Sequence, residues 1–314
     1  MQLKNPIFNG NAPDPFITFD AQNGWYYALF SCSNRVELYR SRHAANIISE
    51  GECKVIYLPN EADGILGDLW APEMHKGSNG RWYIYTSGKT ADVPKFPWRM
   101  FALECQGNDP FGEWKYMGKL FPEICTIDAT VYTDPQGGQH LCCARFDKEY
   151  GEVLHLYELE DPVTVGKRNA MLSHAELDWE LKHGRILEGP FFVRQGERLF
   201  LIYSANGYES DDYCLGVLEF SGGDLYDPQN WKKHPRPLLT QGEGAYGPGH
   251  ASFFRSPDES ELWCAYHARI EKESDLPKAA MPRYCFIQKV VVAPDSSLSM
   301  GKPQHFFDSP KGEE

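Results

Sequence analysis

Little in this sequence would carry it into a membrane or onto a polyanion. No apolar run approaches the roughly 20 residues that a membrane-spanning helix needs. The stretch Met1-Gln2-Leu3-Lys4-Asn5-Pro6-Ile7 lacks the apolar core of a secretory signal, so no signal peptide is expected. Positive charge is scarce: 31 Lys and Arg stand against 44 Asp and Glu, a formal net charge of −13. Such a surface repels phosphate backbones and anionic lipid, so neither nucleic acid nor membrane is expected as a partner. The simplest use of that charge is solubility. None of the nine cysteines has CxxC metal spacing, and their odd number argues against a disulfide framework. Several lie in apolar runs such as Leu141-Cys142-Cys143-Ala144, as buried thiols in a reducing cytoplasm would. Helix-period stretches are few, and the best, Arg42 to Ile48, is short.

Turn formers and aromatics are what the chain does have. Its 28 Gly, 22 Pro, 17 Tyr, 18 Phe and 8 Trp favour many short strands joined by turns. Five segments read as copies of one another, each with an ionisable residue at what reads as the same place. These residues are Asp14, Glu73, Asp128, Glu188 and His250, spaced by roughly 55 to 62 residues. After each comes a turn and a second apolar run, such as Trp25-Tyr26-Tyr27-Ala28-Leu29-Phe30 or Leu199-Phe200-Leu201-Ile202-Tyr203. A third run follows, and then a shorter fourth that often carries Trp: Glu113-Trp114-Lys115, Asp178-Trp179-Glu180 and Asn230-Trp231-Lys232. Four antiparallel strands in each of five units predict an all-β, five-bladed β-propeller. It is expected to span 1–314 as one domain, with blades at roughly 8–66, 67–122, 123–184, 185–244 and 245–304.

In a propeller the first strand of each blade lines the central channel, so the five ionisable residues are expected to converge at one mouth. Their mutual repulsion would cost stability unless the site has a use or binds cations. Asp14, Asp128 and Glu188 stand out because small or rigid neighbours frame them: Pro13 and Pro15, Ala129, and Gly189 with Pro190. Paired carboxylates at a channel mouth suit glycoside hydrolysis, in which one carboxyl donates a proton and the other activates water or attacks. Trp70, Trp98, Tyr208 and Tyr246 are candidate platforms for sugar faces. The acidic run Glu209-Ser210-Asp211-Asp212 reads as a solvated loop, and His267 as a residue packed near the channel.

The motifs Asn5-Pro6-Ile7 to Asp14-Pro15, Trp70-Ala71-Pro72-Glu73, Ile127-Asp128-Ala129, Glu188-Gly189-Pro190 and Gly247-Pro248-Gly249-His250 resemble glycoside hydrolase family 43. The resemblance runs from about residue 5 to about 300 and implies inverting hydrolysis. By it, Asp14 is the base that activates water, Glu188 the acid that protonates the glycosidic oxygen, and Asp128 the residue that orients Glu188 and raises its pKa. Inversion calls for roughly 6.5–9.5 Å between the Asp14 and Glu188 carboxyls. The resemblance further implies that His250 contacts a channel metal, often calcium, mostly through waters, or else serves as a plain hydrogen-bonding residue, with no cofactor needed for the chemistry. Arg283 is its nearest candidate for holding sugar hydroxyls, although Phe286 occupies the place where relatives often carry Arg. Trp70 and Tyr246 complete the expected substrate contacts.

Gly247-Pro248-Gly249-His250-Ala251-Ser252-Phe253 and Tyr266-His267-Ala268-Arg269 look most like exo-acting α-L-arabinofuranosidases. The expected substrate is a short arabino-oligosaccharide met in the cytoplasm. A β-xylosidase of the same family is the alternative; many of those append a β-sandwich, which is not expected here because the sequence ends about 14 residues past Met300, and this favours the arabinofuranosidase. A non-catalytic sugar-binding propeller would keep the aromatics without needing all three acids. A retaining fructosidase-like propeller would need a Trp-x-Asn-Asp-Pro motif, which is absent. Glu73 has no assigned role.

Overall fold

A computed structural model describes residues 2–91, 96–277 and 281–313. The turn-and-run pattern folds into five four-stranded antiparallel sheets, each ordered as the chain runs. Blade 1 holds Phe16–Asp20, Trp25–Leu29, Val36–Ser41 and Glu52–Tyr57. Blade 2 holds Gly67–Lys76, Trp82–Lys89, Trp98–Cys105 and Trp114–Lys119. Blade 3 holds Thr126–Thr133, Gln139–Asp147, Gly151–Asp161 and Thr164–Ser173. Blade 4 holds Leu187–Gln195, Arg198–Ala205, Cys214–Phe220 and Trp231–Lys233. Blade 5 holds Tyr246–Arg255, Leu262–Arg269, Tyr284–Val292 and Leu298–Ser299. Leu3–Lys4 and Phe306–Phe307 pair separately and tie the two chain ends together. The protein is thus a five-bladed β-propeller. Among the described residues no helix is long and apolar enough to cross a membrane, and the Arg42 to Ile48 stretch gives only a 3₁₀ turn at Ala44–Asn46.

One strand assignment changes. Asp178-Trp179-Glu180 is a 3₁₀ turn, and blade 3 takes Thr164–Ser173 as its fourth strand instead. Glu180 explains the difference. Its fully buried carboxylate accepts from the Glu176 and Leu177 backbone N–H groups, from Tyr203 Oη at 2.6 Å and from Lys233 Nζ at 3.0 Å. Those bonds curl the segment, because a buried charge must find partners.

The repeat phase also changes. Across Trp70 to Glu73 the first strand of blade 2 advances three residues while its partner moves two, from Ser87 to Tyr85. The same bulge recurs between Ile127 and Thr130, Glu188 and Phe191, and Gly249 and Ser252. Its first residue is left-handed in each case: Ala71 (φ 46°), Asp128 (58°), Gly189 (52°) and His250 (48°), with Asp14 (55°) taking that role in blade 1. The equivalent positions are therefore 14, 71, 128, 189 and 250. Glu188 stands one residue before its bulge and Glu73 two residues after, so the five ionisable residues do not share one place. A bulge re-aims the side chains around it, and here it sorts the acids onto different levels of the channel.

Candidate active site

Asp14, Trp70, Ile127, Asp128, Glu188, Tyr208, His250 and Arg283 line a mouth cavity of about 190 Å³. The structure thus brings together the three predicted acids, His250, Arg283 and Trp70. Glu73 lies one level down, buried, with His75 Nε2 at 2.8 Å from its carboxylate. His75 in turn packs edge-on against Phe16. Glu73 and His75 thus form a buried hydrogen-bonded pair that is not among the cavity-lining residues. Tyr246 is not among the cavity-lining residues; Lys272 Nζ stands 5.9 Å from its ring. Trp98 stacks on Trp70 with ring centroids 4.2 Å apart, backing that wall.

Asp14 is held by contacts to both carboxylate oxygens. Arg283 Nη1 donates to Oδ1 at 2.6 Å and Ser31 Oγ to Oδ2 at 2.5 Å. The Asp14 backbone N–H donates to His267 Nδ1 at 3.1 Å. Burial alone would raise this carboxyl, but the Arg283 guanidinium and His250 outweigh it and hold the pKa well below the usual carboxylate range. His267 is pushed down to about 3, chiefly by burial, so it is a neutral acceptor toward the Asp14 N–H.

Glu188 is poised in the opposite sense. Burial first, and then the neighbouring Asp128 charge, push its carboxyl up toward neutrality. Tyr213 Oη donates to Glu188 Oε1 at 2.7 Å. Tyr213 is itself deeply buried and held protonated. With Oε1 occupied as an acceptor, the acidic proton of Glu188 belongs on Oε2. Tyr213 fits because position 249 is glycine: a Cβ there would lie 2.2 Å from the tyrosine ring.

Asp128 Oδ2 accepts from the Gly189 backbone N–H at 3.0 Å, which fixes the main chain next to Glu188. Burial raises its carboxyl, as does the Asp14 charge. His250 Nδ1 lies 3.4 Å from Asp14 Oδ1 and 3.9 Å from Asp128 Oδ2. Burial would lower the imidazole pKa, but the surrounding acids, Asp14 foremost, raise it. The charged form of His250 is thereby favoured beside the acids. Calcium takes six to eight oxygen ligands, and among the described residues no three His, Cys, Asp or Glu side chains converge in metal-holding geometry. These side chains do not fit a directly ligated calcium.

Sequence reasoning missed Ser31, Tyr213 and the loop that carries Tyr208. Ser31, Ser87, Ser204 and His267 each end a second-strand run opposite the residue that precedes a bulge. A polar residue closing an apolar run was the available signal. Glu209-Ser210-Asp211-Asp212 is not simply a solvated loop. Asp211 pairs with buried Arg269, whose Nη1 also donates to the Tyr208 carbonyl at 3.0 Å. Asp212 meets Lys182 Nζ at 2.7 Å. Thus anchored, the loop holds the Tyr208 ring 4.5 Å from the Arg283 guanidinium carbon, as the outer wall of the cavity.

A propeller whose channel mouth joins a carboxyl held low to one pushed up to about 7 has the parts of an acid–base glycosidase. The chain belongs to glycosyl hydrolases family 43, whose family model matches residues 3–297, and it is a glycoside hydrolase. It is 33% identical over 280 residues to an extracellular exo-alpha-(1->5)-L-arabinofuranosidase of Streptomyces chartreusis, covering 86% of this chain and 83% of that one. A protein of the same description from Streptomyces avermitilis is 31% identical over 95% of this chain, which spans 63% of that longer relative. Among solved structures, an alpha-L-arabinofuranosidase from Lactobacillus brevis superposes with a TM-score of 0.87 at 26% identity, covering 98% of both chains.

Proposed function

We propose that this protein is an inverting, exo-acting α-L-arabinofuranosidase that releases terminal arabinofuranose from short arabino-oligosaccharides. The observation that carries the reading is the opposite poise of Asp14 and Glu188. Ionised Asp14 takes a proton from water as the water oxygen bonds to the anomeric carbon. The glycosidic C–O bond breaks, and the leaving oxygen takes the proton from Glu188 Oε2. Glu188 ends ionised and Asp14 protonated, and exchange with solvent restores both. Asp128 keeps the Glu188 pKa high by its charge and orients the acid through the Gly189 bond. A cavity of about 190 Å³ closed by Trp70, Tyr208 and Arg283 supports removal of one terminal sugar at a time.

The arabinose assignment is supported by the two Streptomyces relatives, whose names specify it. Turnover of an aryl α-L-arabinofuranoside against an aryl β-D-xyloside tests it, and activity confined to the xyloside rejects it. Anomeric proton NMR of the first-formed sugar tests inversion; a retained anomer rejects it. A calcium ion near His250, which the resemblance implies, would be held through waters, and a Tm unmoved by calcium titration rejects it. Nine unpaired cysteines, six of them buried, support a reducing cytoplasmic location, although the Streptomyces relatives are named extracellular. Cell fractionation decides between the two.

A further inference from the structure

We propose that the leaving-group sugar, the unit just beyond the bond cleaved, docks on the tip of a blade 3 hairpin. Glu152 would accept its hydroxyls, and Phe146 with Phe96 would pack against its ring. This assignment rests on the glycosidase reading above and adds to it where the second sugar goes.

The hairpin lies at the right end of the molecule. The first strand of blade 3 begins at the cavity with Ile127 and Asp128, and it runs antiparallel to Gln139–Asp147. The end of that second strand and the start of the third therefore stand at the mouth. There Phe146 pairs directly with Glu152, so their side chains share one face of the sheet. In alternation along the same two strands, Cys142, Leu154 and Leu156 lie on that face, and they pack into a cluster with Leu187 and Leu201 of blade 4. Glu152 is thus turned toward the blade that carries Glu188. Its backbone N–H donates to Arg185 O at 2.9 Å and it bridges Ile186, two residues before the catalytic acid.

Two features there go unused by the fold. Among the described residues no side chain hydrogen-bonds or ion-pairs with the half-buried Glu152 carboxyl, although burial and the Glu188 charge both bear on it. A half-buried carboxyl with no protein partner is free to bond a ligand hydroxyl. Beside it Phe146 is 46% exposed and Phe96, reaching over from blade 2, is 51% exposed. Their rings stack with centroids 5.0 Å apart and planes 18° apart. An exposed aromatic face next to a carboxyl group suits a neutral sugar, which presents both C–H and hydroxyl surfaces.

A second cavity, of about 400 Å³, adjoins the site across Trp70 and Arg283 and includes Ser31, Arg35 and Glu37. It lies on the Asp14 side. In inversion water enters from the base, and the leaving group departs from the opposite face. That favours the hairpin of blade 3.

The test compares kcat/KM for α-1,5-arabinobiose with kcat/KM for 4-nitrophenyl α-L-arabinofuranoside, whose leaving group has no sugar hydroxyls. Glu152→Ala is expected to lower the ratio of the two about tenfold, mainly through KM for the disaccharide. Phe146→Ala is expected to lower it as well. Glu152→Gln, which still accepts a hydroxyl hydrogen bond, should recover part of the loss. Equal losses on both substrates in Glu152→Ala and Glu152→Gln, with a displaced alkaline limb, would mean that Glu152 acts only through the Glu188 charge and overturn the proposal. So would an unmoved ratio, or one that responds to Glu37→Ala instead. If the pentose is xylose, xylobiose and the aryl xyloside give the same ratio. A wild type inert on every one of these substrates refutes the proposed arabinofuranosidase or xylosidase function and this proposal with it.

Discussion

Two carboxyls of similar intrinsic acidity are separated here by their neighbours. Asp14 has a guanidinium at 2.6 Å, whereas Glu188 has burial and a second carboxylate. Glu188→Gln removes the proton donor, and kcat/KM on an arabino-oligosaccharide is expected to fall about 10²–10⁴-fold in steady-state assays. As the proposed acid, Glu188 must be protonated, so kcat/KM should fall as pH rises through its elevated pKa. Asp14 is active while ionised, and its lowered pKa keeps that acid limb below the ordinary carboxylate range. Tyr213→Phe separates positioning from folding. The phenol favours the ionised acid, so its loss should move the alkaline fall-off to higher pH. It also frees the proton from Oε2, and kcat should drop about tenfold. A pH–rate profile reads both effects, and a change in Tm without a shifted limb would mean a purely structural tyrosine.

The bulge that ends the channel-lining part of each first strand decides which way those residues point. Its left-handed first residue is costly for most side chains, though Asp tolerates it, and such strain is found where function requires it. Gly249 serves the same design from the neighbouring blade, because only a missing Cβ admits the Tyr213 ring. Gly249→Ala is expected to cost about 1–3 kcal/mol by overpacking, and to shift the alkaline limb as Tyr213→Phe does. Thermal melting together with the pH profile checks both effects. The Tyr208 loop is likewise an element-scale device, fastened by Asp211 to Arg269. Asp211→Ala leaves a buried guanidinium underpaired and loosens the cavity wall. KM should rise several-fold with kcat nearly kept, provided chemistry limits turnover.

Across the whole molecule, the acid-lined mouth sets function against stability. Asp128, Glu152 and Glu188 have carboxyls raised in the folded state. The stability linked to them is complete below the unfolded carboxylate pKa and is lost as pH rises through the raised values. Asp14 has the opposite sign, and its contribution disappears only as pH falls below about 4. Melting across pH should therefore show Glu188→Gln more stable than wild type at pH 8, with little difference at pH 5. A gain on the order of 1–2 kcal/mol corresponds to a few degrees in a chain of this size. An inactive variant equally unstable at both pH values would contradict the strained mouth.

Much of this was legible in the residues. Strand periodicity and turn chemistry are local properties, so the repeat of apolar runs and Gly/Asp/Pro turns determined the propeller. The short motifs around Asp14, Asp128 and Glu188 singled out three acids that line one cavity. Other features depended on contacts between residues far apart in the chain. Tyr213 reaches Glu188 across 25 positions and Arg283 reaches Asp14 across 269. Asp178-Trp179-Glu180 was misread as a strand because its controlling bonds come from Tyr203 and Lys233. The apparent five-fold equality of the acids also dissolved at this level. A bulge shifts register by one residue without altering the apolar pattern beyond it, so only the paired strands revealed that Glu188 and Glu73 stand on either side of the shared position.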